Sequence, residues 1–559
     1  MNTIDFSLSS DILLKIEKQL SSWKQLNVNS RLWDKDPSVW KENPEEQVEI
    51  ANRLGWLNLP STDRNELMAL EKFAADVKDE FSFVFVLGMG GSSLAPEVFS
   101  KTFGSREGYP QLRIVDNTHP INVQSILDNY DLKKCIFLMA SKSGGTAETN
   151  SFFYVFHDAL SELTSTPGMH FVALTDPNTS LGKLAAEKQF RKVITTPAEV
   201  GGRYSALTPF GALPMAMIGM DVVRFYDEAL KVQKECERYA PVDESLSAKL
   251  GITLGELALQ GKDKVTFFVD DAISSFPQWV EQLVAESSGK EDIGILPIEN
   301  EPLVSLDKYG DDRVFVLVSI ENKENAWLAE LEKSLREAKK ELIVISLKNI
   351  YALGQEFYRW EYATAAACVV LKVNPFDQPN VQLAKSLANE SLKTYKETGK
   401  LPEDIVAVSD SNIEVLGDVK AETVKEALDA YFAKLNKEDY IALMLFTPYG
   451  EDIEKSLSLL RKKLVNKFGV AVSGGYGPRF LHSTGQLHKG GKNNGLFVQL
   501  IDNALPDLEV PGQGYSFGTL ITAQAQGDAN ALVNKDRRLL RLRVKGNIAE
   551  TLDSLCNLI

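Results

Sequence analysis

The chain has 559 residues, which is too long for one ordinary hydrophobic core and suggests about two to four domains. Hydrophobic residues make up 44% and charged residues 25% of the chain, as in folded rather than disordered proteins. The net charge of −16 opposes binding to nucleic acid and to anionic membrane surfaces, so neither is expected as a partner.

The first twenty residues predict an amphipathic helix rather than a signal peptide, because acidic side chains interrupt the apolar positions. The longest uncharged apolar runs, such as 440–446, have the length of a strand and are far too short to cross a membrane. We therefore expect a cytoplasmic protein. The four cysteines are widely separated and match no metal-ligand spacing, so no bound metal is expected.

Short apolar runs alternate with helical stretches from 82 to 196. Continuous apolar strands separated by helices predict a parallel sheet covered on both faces. The pattern restarts near residue 264, and we expect the later runs to extend this second sheet after a helical insertion. The predicted fold class is therefore α/β, with two doubly wound, mainly parallel-sheet domains. These are residues 1–235, and residues 236–559 with an insertion at about 380–435.

The first glycine-rich turn, VLGMGGSSLAP at 86–96, leaves a strand and opens a helix. Its glycines allow close backbone approach, and Ser92 and Ser93 could cap the helix or bind an anion at its positive end. A dinucleotide site would need a third glycine at position 93, and an acid after the next strand, which Asp116 could supply. Alone, this turn does not distinguish a structural turn, a phosphate site and a dinucleotide site.

A second polar turn, SKSGGTAET at 141–149, follows another strand of the same predicted sheet. Ligands bind at the carboxyl edge of such a sheet, where this turn is expected to lie. Hydroxyls, two glycine amides and the positive end of the next helix together predict a phosphate cradle, and an elaborate helix cap is the alternative. The hydroxyl ligands would be Ser141, Ser143, Thr146 and Thr149.

Two charged residues of the cradle have open roles. Lys142 could be solvated, or it could attract the anion over a distance. Glu148 cannot comfortably touch a phosphate, so it could cap its own helix or contact sugar hydroxyls.

Three later segments contain further candidates. Arg203, in GGRYS, could form a surface ion pair with Glu199 or could face developing negative charge. Glu286 lies where a helix with one apolar face ends in ESSGK. It could be a solvated carboxylate, or a buried one with a raised pKa. His482 and His488 lie in a glycine-rich loop without a metal-ligand pattern, and such a histidine suits general acid–base work. For His482 alone, a structural role bonding to backbone is expected.

Together, these motifs resemble the glucose-6-phosphate isomerase family, which is built from two sugar isomerase (SIS) domains. GMGGSS, SKSGGTAET, GGRYS, AESSGK and the stretch KVNPFDQPNVQLAK at 372–385 are similar to motifs of this family and occur in its order. HSTGQLHKGG is most similar to the isomerase half of transaldolase/glucose-6-phosphate isomerase fusions. The resemblance therefore implies a fold of two SIS domains and a hexose phosphate as the substrate.

The resemblance also implies roles for residues. The reaction would be the reversible isomerisation of glucose 6-phosphate and fructose 6-phosphate through a cis-enediol, without a metal or another cofactor. Glu286 would be the base, Arg203 would stabilise the enediolate, and His488 would open the sugar ring. The expected phosphate ligands are Ser92 and the cradle hydroxyls of Ser141, Ser143, Thr146 and Thr149. Possible further substrate contacts are Gly91, Lys142 and Gln526.

One departure from the family concerns a lysine. The family commonly has a lysine in a helix after a Phe-Asp-Gln-Trp-type stretch near the C-terminus, whereas this chain has SFGTLITAQAQGD at 516–528. The equivalent position is expected to be Gln526, or Gln524 in a shifted register, so no ammonium group is expected there. Family members are commonly dimers, so the resemblance implies a homodimer in which His488 could serve the neighbouring site.

Two other classes of function stay open. A SIS module can be a non-catalytic sugar-phosphate sensor, although Glu286 and His488 argue against this class. An NAD(P)-dependent dehydrogenase would use the first glycine-rich turn and Asp116. Mannose 6-phosphate could be a further substrate of an isomerase.

Overall fold

The structure is a computed structural model that describes residues 1–323 and 325–559. The strands are β1 (Thr3–Ser7), β2 (Phe83–Gly88), β3 (Gln111–Val115), β4 (Cys135–Ala140), β5 (Phe171–Thr175), β6 (Lys192–Thr195), β7 (Lys264–Val269), β8 (Leu296–Ile298), β9 (Arg313–Ile320), β10 (Leu342–Leu347), β11 (Val406–Ser409), β12 (Ile413–Leu416), β13 (Tyr440–Phe446), β14 (Ala471–Tyr476), β15 (Gly495–Ile501) and β16 (Arg538–Val544).

The helices are α1 (Ser10–Gln25), α2 (Val28–Trp33), α3 (Pro44–Ala51), α4 (Arg64–Val77), α5 (Leu94–Phe103), α6 (Pro120–Asn129), α7 (Ala147–Ser161), α8 (Ser180–Glu187), α9 (Pro209–Met217), α10 (Val222–Glu235), α11 (Leu246–Leu259), α12 (Phe276–Ser288), α13 (Ala326–Glu337), α14 (Leu353–Leu371), α15 (Pro379–Thr398), α16 (Val424–Phe432), α17 (Glu451–Phe468), α18 (Gly485–Gly490), α19 (Phe517–Val533) and α20 (Ile548–Leu558).

The strands of the described chain form three sheets. The N-terminal sheet has the order β3-β2-β4-β5-β6, and all its strands are parallel. The middle sheet has the order β1-β10-β9-β7-β8 and is parallel except for β1. The C-terminal sheet has the order β11-β12-β16-β15-β13-β14. The predicted α/β class with mainly parallel sheets is confirmed.

The expectation that the later strands extend the second sheet is wrong. β13 to β16 form a separate sheet, to which β11 and β12 add antiparallel strands. One edge of the middle sheet is already covered by β1, which pairs with β10 from the other end of the sequence. The predicted helical insertion at about 380–435 contains α15 and α16, but it also contains β11 and β12.

The first two sheets share one hydrophobic core. One cluster of buried side chains has members from Ile12 to Phe376 in the sequence and includes Val84 and Leu138 of the N-terminal sheet. The same cluster includes Val316 of the middle sheet. The predicted division of the chain near residue 235 stays a prediction.

Strands that are buried on both faces read as continuous apolar runs, which is why the sequence pattern predicts them well. Every residue of β4 is buried, and so is every residue of β13. Among the described residues, no helix is long and apolar enough to cross a membrane.

Candidate active site

The cradle lies beside the first glycine-rich turn at the carboxyl edge of the N-terminal sheet. β2 and β4 are neighbours, and Gly88 pairs with Ala140, so the two turns leave the sheet side by side. The Ser141 hydroxyl lies 2.9 Å from the Thr146 hydroxyl and accepts a hydrogen bond from the Gly144 amide at 3.1 Å. These bonds hold the cradle against the start of α7.

The start of α7 has the features of an anion site. Thr146 is the N-cap residue, but its side chain makes no capping hydrogen bond. The first N–H groups of an α-helix have no partner within the helix, and they carry the positive end of its dipole. The amides of this first turn and the Thr146 hydroxyl are therefore available to a phosphate at one place.

A cavity of about 260 Å³ lies between the cradle and α15. The polar side chains that line it come from four parts of the sequence and include Ser143, Thr146, Glu148, Lys385, His482 and Gln524. Of the other predicted phosphate ligands, Ser141 is buried and Ser92 is half-buried at the first glycine-rich turn. Thr149 is fully buried, and its hydroxyl has no hydrogen-bond partner within the described residues.

A buried carboxylate–histidine pair lies at this cavity. His482 Nε2 is 3.1 Å from Glu148 Oε1, and Gln524 Nε2 donates to the same oxygen at 2.8 Å. Burial alone would raise the pKa of Glu148, but the hydrogen bond and charge of His482, with the charge of Lys385, lower it to about 2. Glu148 therefore stays ionised and holds the imidazole. The expectation that His482 bonds to backbone is wrong, because its ring contacts this carboxylate.

Glu286 is buried near the end of α12 and is linked to the short 3₁₀ helix Arg479–His482, which we call the histidine turn. Gln282, one helical turn earlier, donates through Nε2 to Glu286 Oε2 at 3.1 Å and to the His482 carbonyl oxygen at 2.7 Å. Gly90 closes against this link, since a Cβ there would lie 2.7 Å from Gln282 Nε2 and 2.8 Å from the His482 carbonyl oxygen. Three distant segments of the sequence therefore meet at Gln282.

Arg203 is buried beside Glu286 and does not form the surface ion pair with Glu199 that was the alternative. Its Nε donates to the Ser287 hydroxyl at 2.9 Å, and its Nη2 donates to the Asp377 carbonyl at 3.0 Å. Its Nη1 lies 3.5 Å from Glu286 Oε1. A guanidinium held by this many bonds supplies fixed positive charge next to the carboxylate.

Three residues predicted as further substrate contacts have other partners. Lys142 Nζ donates to Asp176 Oδ2 at 2.5 Å. Gly91 packs so closely on Gly202 that a Cβ would lie 1.9 Å from the Gly202 carbonyl oxygen, which explains why a glycine is needed there. Gln526 Nε2 donates to a backbone carbonyl in the loop before β11 at 2.8 Å. The substrate contacts of all three stay predictions.

Sequence reasoning missed Lys385, which brings an ammonium group to the cavity. Lys385 lies in α15, which begins directly after Phe-Asp-Gln at 376–378. The sequence carries the signal, because the family pattern is a helical lysine after Phe-Asp-Gln, and this chain has that pattern at 376–385 rather than at 516–528. In the segment 516–528, Gln524 rather than Gln526 lines the cavity.

His488 lies in a different environment from His482. It is 3% exposed, and its ring centroid is 5.0 Å from that of Phe497 and 6.1 Å from that of Tyr440. Neither ring nitrogen has a hydrogen-bond partner among the described residues. Burial, with the charges of Lys489 and a nearby arginine, lowers the pKa of His488 well below its usual value. His488 is therefore neutral near pH 7, and it does not line the cavity of the cradle.

The arrangement combines an anion site with groups that can move protons. The cradle and Lys385 can hold a phosphorylated ligand at one end of the cavity. The Glu148–His482 pair can exchange a proton with a hydroxyl or ring oxygen, and Glu286 can remove a proton from carbon. Arg203 can stabilise the anion that results. These are the parts that an isomerase of phosphorylated sugars needs.

Comparisons with known proteins agree with this chemistry. The family model described as phosphoglucose isomerase matches residues 71–295. A glucose-6-phosphate isomerase of Thermus thermophilus is 30% identical in an alignment of 385 residues that covers 62% of this chain and 91% of that protein. The glucose-6-phosphate isomerase of Carboxydothermus hydrogenoformans is 26% identical in an alignment of 389 residues that covers 59% of this chain and 83% of that protein.

Solved structures show the same kind of fold. A hypothetical protein from Thermus thermophilus has a TM-score of 0.58 and 26% identity, covering 70% of this chain and 100% of that chain. A glucose-6-phosphate isomerase from Chlamydia trachomatis has a TM-score of 0.51 and 18% identity, covering 66% of this chain and 78% of that chain. The second likeness concerns the fold alone.

Proposed function

We propose that this chain, which belongs to the glucose-6-phosphate isomerase family, interconverts glucose 6-phosphate and fructose 6-phosphate at the cavity between the cradle and α15. The observation that carries the proposal is the convergence of the cradle, the Glu148–His482 pair and Glu286 through the bridging amide of Gln282. The cradle with Glu148, the helix end that carries Glu286 and the turn that carries His482 lie far apart in sequence.

The phosphate is the anchor of the substrate. The cradle amides and hydroxyls, with Lys385, bind a group that takes no part in the chemistry. The binding energy of the phosphate holds the reacting carbons near Glu286. The entropy cost of orienting these carbons is therefore met on binding and not in the chemical step.

Glu286 carries the proton between C2 and C1. Removal of a proton next to a carbonyl gives a cis-enediol, and the same carboxyl group returns the proton to the neighbouring carbon. Arg203, already fixed beside Glu286, stabilises the negative charge as the enediolate forms.

His482 is the better candidate than His488 for opening the sugar ring. His482 lines the cavity, and its Nε2 lies 3.1 Å from the carboxylate of Glu148, which orients the ring for general acid–base work. His488 is neutral and surrounded by aromatic rings. The ring-opening role that the resemblance implies for His488 is therefore reassigned within this proposal to His482.

The other functional classes gain no support. A dehydrogenase would need the Asp116 carboxylate free for a ribose, but Arg479 Nε lies 2.9 Å from it. A non-catalytic sensor would not need Glu286, Arg203 and Gln282 to be held together and linked through His482 to the phosphate cradle.

A coupled assay with fructose 6-phosphate, with and without EDTA, tests the function. We expect EDTA-insensitive formation of glucose 6-phosphate. Glu286→Gln should lower kcat by about 10³-fold, because a positioned base contributes this much, and should leave KM within about threefold. The matched control is Glu256→Gln, at a buried carboxylate that accepts a hydrogen bond from Gln19. Near-normal turnover by Glu286→Gln would refute the mechanism.

We also propose that the protein acts as a homodimer in the cytoplasm, as the resemblance to the family implies. Within one chain, Glu148, His482 and Lys385 line the cavity, and Gln282 links Glu286 to the His482 carbonyl. Light scattering after size exclusion tests the dimer, and cell fractionation tests the location.

A further inference from the structure

A half-buried cation connects the histidine turn to the N-terminal sheet. Arg479 begins the short 3₁₀ helix that ends at His482. Its guanidinium contacts the carboxylate of Glu97, and its Nε lies 2.9 Å from Asp116 Oδ2. The side chains of Arg479, Glu97 and Asp116 are 20%, 11% and 12% exposed. We call these three residues the Arg479 clamp.

The two acids belong to the N-terminal sheet and to a helix that follows one of its strands. Glu97 lies in α5, which follows the first glycine-rich turn, and Asp116 directly follows β3. Arg479 follows β14 of the C-terminal sheet by way of a short loop. The clamp therefore joins the C-terminal sheet to the N-terminal sheet at the turn that carries the histidine.

The start and the end of the histidine turn are held by different contacts. Glu148 holds the imidazole of His482, and Gln282 holds its backbone carbonyl. These two bonds fix the end of the turn, whereas the clamp fixes its start. Reactions that depend on proton transfer are sensitive to displacements of about 1 Å, so an anchor three residues away can control the rate without touching the substrate.

We infer that Arg479 is a positioning residue that sets the place of His482 through the clamp, for the reaction proposed above. The inference rests on the proposed function, because it assigns Arg479 an effect only on the step that His482 performs. Arg479 lines a different cavity from that of the cradle, so it does not contact the phosphate site. The contacts of the clamp are ion pairs that are mostly buried, so removal of the Arg479 guanidinium leaves Glu97 and Asp116 without a cationic partner at the histidine turn.

The test is a double-mutant cycle between Arg479→Met and His482→Ala, assayed with fructose 6-phosphate. We expect Arg479→Met to lower kcat by about tenfold while KM changes less than about threefold. In the His482→Ala background, Arg479→Met should cause no further loss of kcat, since it acts through His482. Arg479→Lys should recover most of the turnover, because it restores the charge.

Lys101→Met is the matched control. Lys101 Nζ pairs with Glu97 Oε1 at 2.5 Å, so this variant also removes a cation from Glu97, but it leaves the histidine turn untouched. Its kcat should stay within about twofold of the parent value. If Arg479→Met does not fold, Asp116→Asn replaces it in the cycle, with an expected loss of about threefold that again vanishes in the His482→Ala background.

The positioning role is overturned if the double variant loses as much kcat as the product of the losses in the two single variants. It is also overturned if the fall in kcat/KM of Arg479→Met comes from a higher KM rather than from a lower kcat. The outcome is separable from failure of the proposed function. If Glu286→Gln and His482→Ala both retain turnover, the proposed mechanism fails. If both lose turnover while Arg479→Met does not, only the positioning role fails.

Discussion

At the scale of single residues, the central feature is a carboxylate that stays ionised although it is buried. Glu148 keeps its charge because the hydrogen bond and charge of His482 and the charge of Lys385 lower its pKa. A folded pKa of about 2 lies below the usual value of 4.5, so folding favours the ionised form. Its contribution to stability is present above pH 4.5 and is lost as the pH falls towards 2.

Comparison with Glu148→Gln tests this assignment. The difference in unfolding free energy between the parent protein and the variant should be constant from pH 6 to 5 and should shrink as the pH falls from about 4.5 to 2. The substitution also leaves His482 without its carboxylate partner, so the unfolding free energy at pH 6 should fall by about 3 kcal/mol. Urea unfolding at each pH measures both quantities. A difference that does not depend on pH below 4.5 would contradict the low pKa.

The two histidines can be separated by substitution. His482→Ala should reduce kcat for the cyclic substrate by about 10²-fold or more, because it removes a general acid, and should spare an open-chain analogue. His488→Phe keeps the ring volume within an aromatic cluster, so turnover should change less than about threefold. Steady-state assays with both substrates make the comparison. A larger loss in the His488 variant would restore the role that the resemblance assigns to it.

At the scale of elements, α15 forms one wall of the cavity and contributes the ammonium group of Lys385. Arg203 Nη1 donates to the Gln378 side chain, and Asn380 accepts and donates hydrogen bonds with Gln486 of α18. These bonds fix the start of the helix, so that Lys385 reaches the cavity one and a half turns later.

Lys385→Met should therefore weaken phosphate binding. A charged hydrogen bond contributes about 1.5 to 3 kcal/mol, so KM should rise by roughly 10- to 100-fold. Inhibition by inorganic phosphate should weaken in proportion. Lys393→Met, at an exposed position on the same helix, serves as the control and should change neither value. An unchanged KM in Lys385→Met would remove the lysine from the phosphate site.

At the scale of the whole molecule, the N-terminal and middle sheets are expected to unfold together, because one hydrophobic core serves both. Ile16 lies in α1 and is 1% exposed in that core. Ile16→Ala should lower the unfolding free energy by about 3 kcal/mol, from lost apolar contact and the cavity left behind. Leu14→Ala, at a largely exposed position on the same helix, should cost less than about 0.5 kcal/mol.

Denaturation of Ile16→Ala in urea, followed by circular dichroism and by residual isomerase activity, tests this coupling. The two signals should fall together at a lower urea concentration than in the parent protein. Activity that survives the loss of the circular dichroism signal from these sheets would show that the core is not shared.

The sequence by itself determined the fold class, because strands covered on both faces leave an unmistakable apolar run and the turns after them are rich in glycine and hydroxyls. It also predicted the cradle from a local motif, whereas Arg203 and Glu286 were assigned to the site only by the resemblance to the family. It did not predict that β13 to β16 form their own sheet, because the choice of sheet partner depends on which edges are already occupied.

Only the tertiary structure decided which side chains meet. His482 and Glu148 are 334 residues apart, and Gln282 reaches the His482 carbonyl across 200 residues. Hydrogen-bond partners at such separations leave no periodic signal in one sequence, so His482 looked structural and His488 looked functional. Local chemistry identified the residues that could act, whereas packing of distant elements determined which of them share one cavity and which are enclosed by aromatic rings.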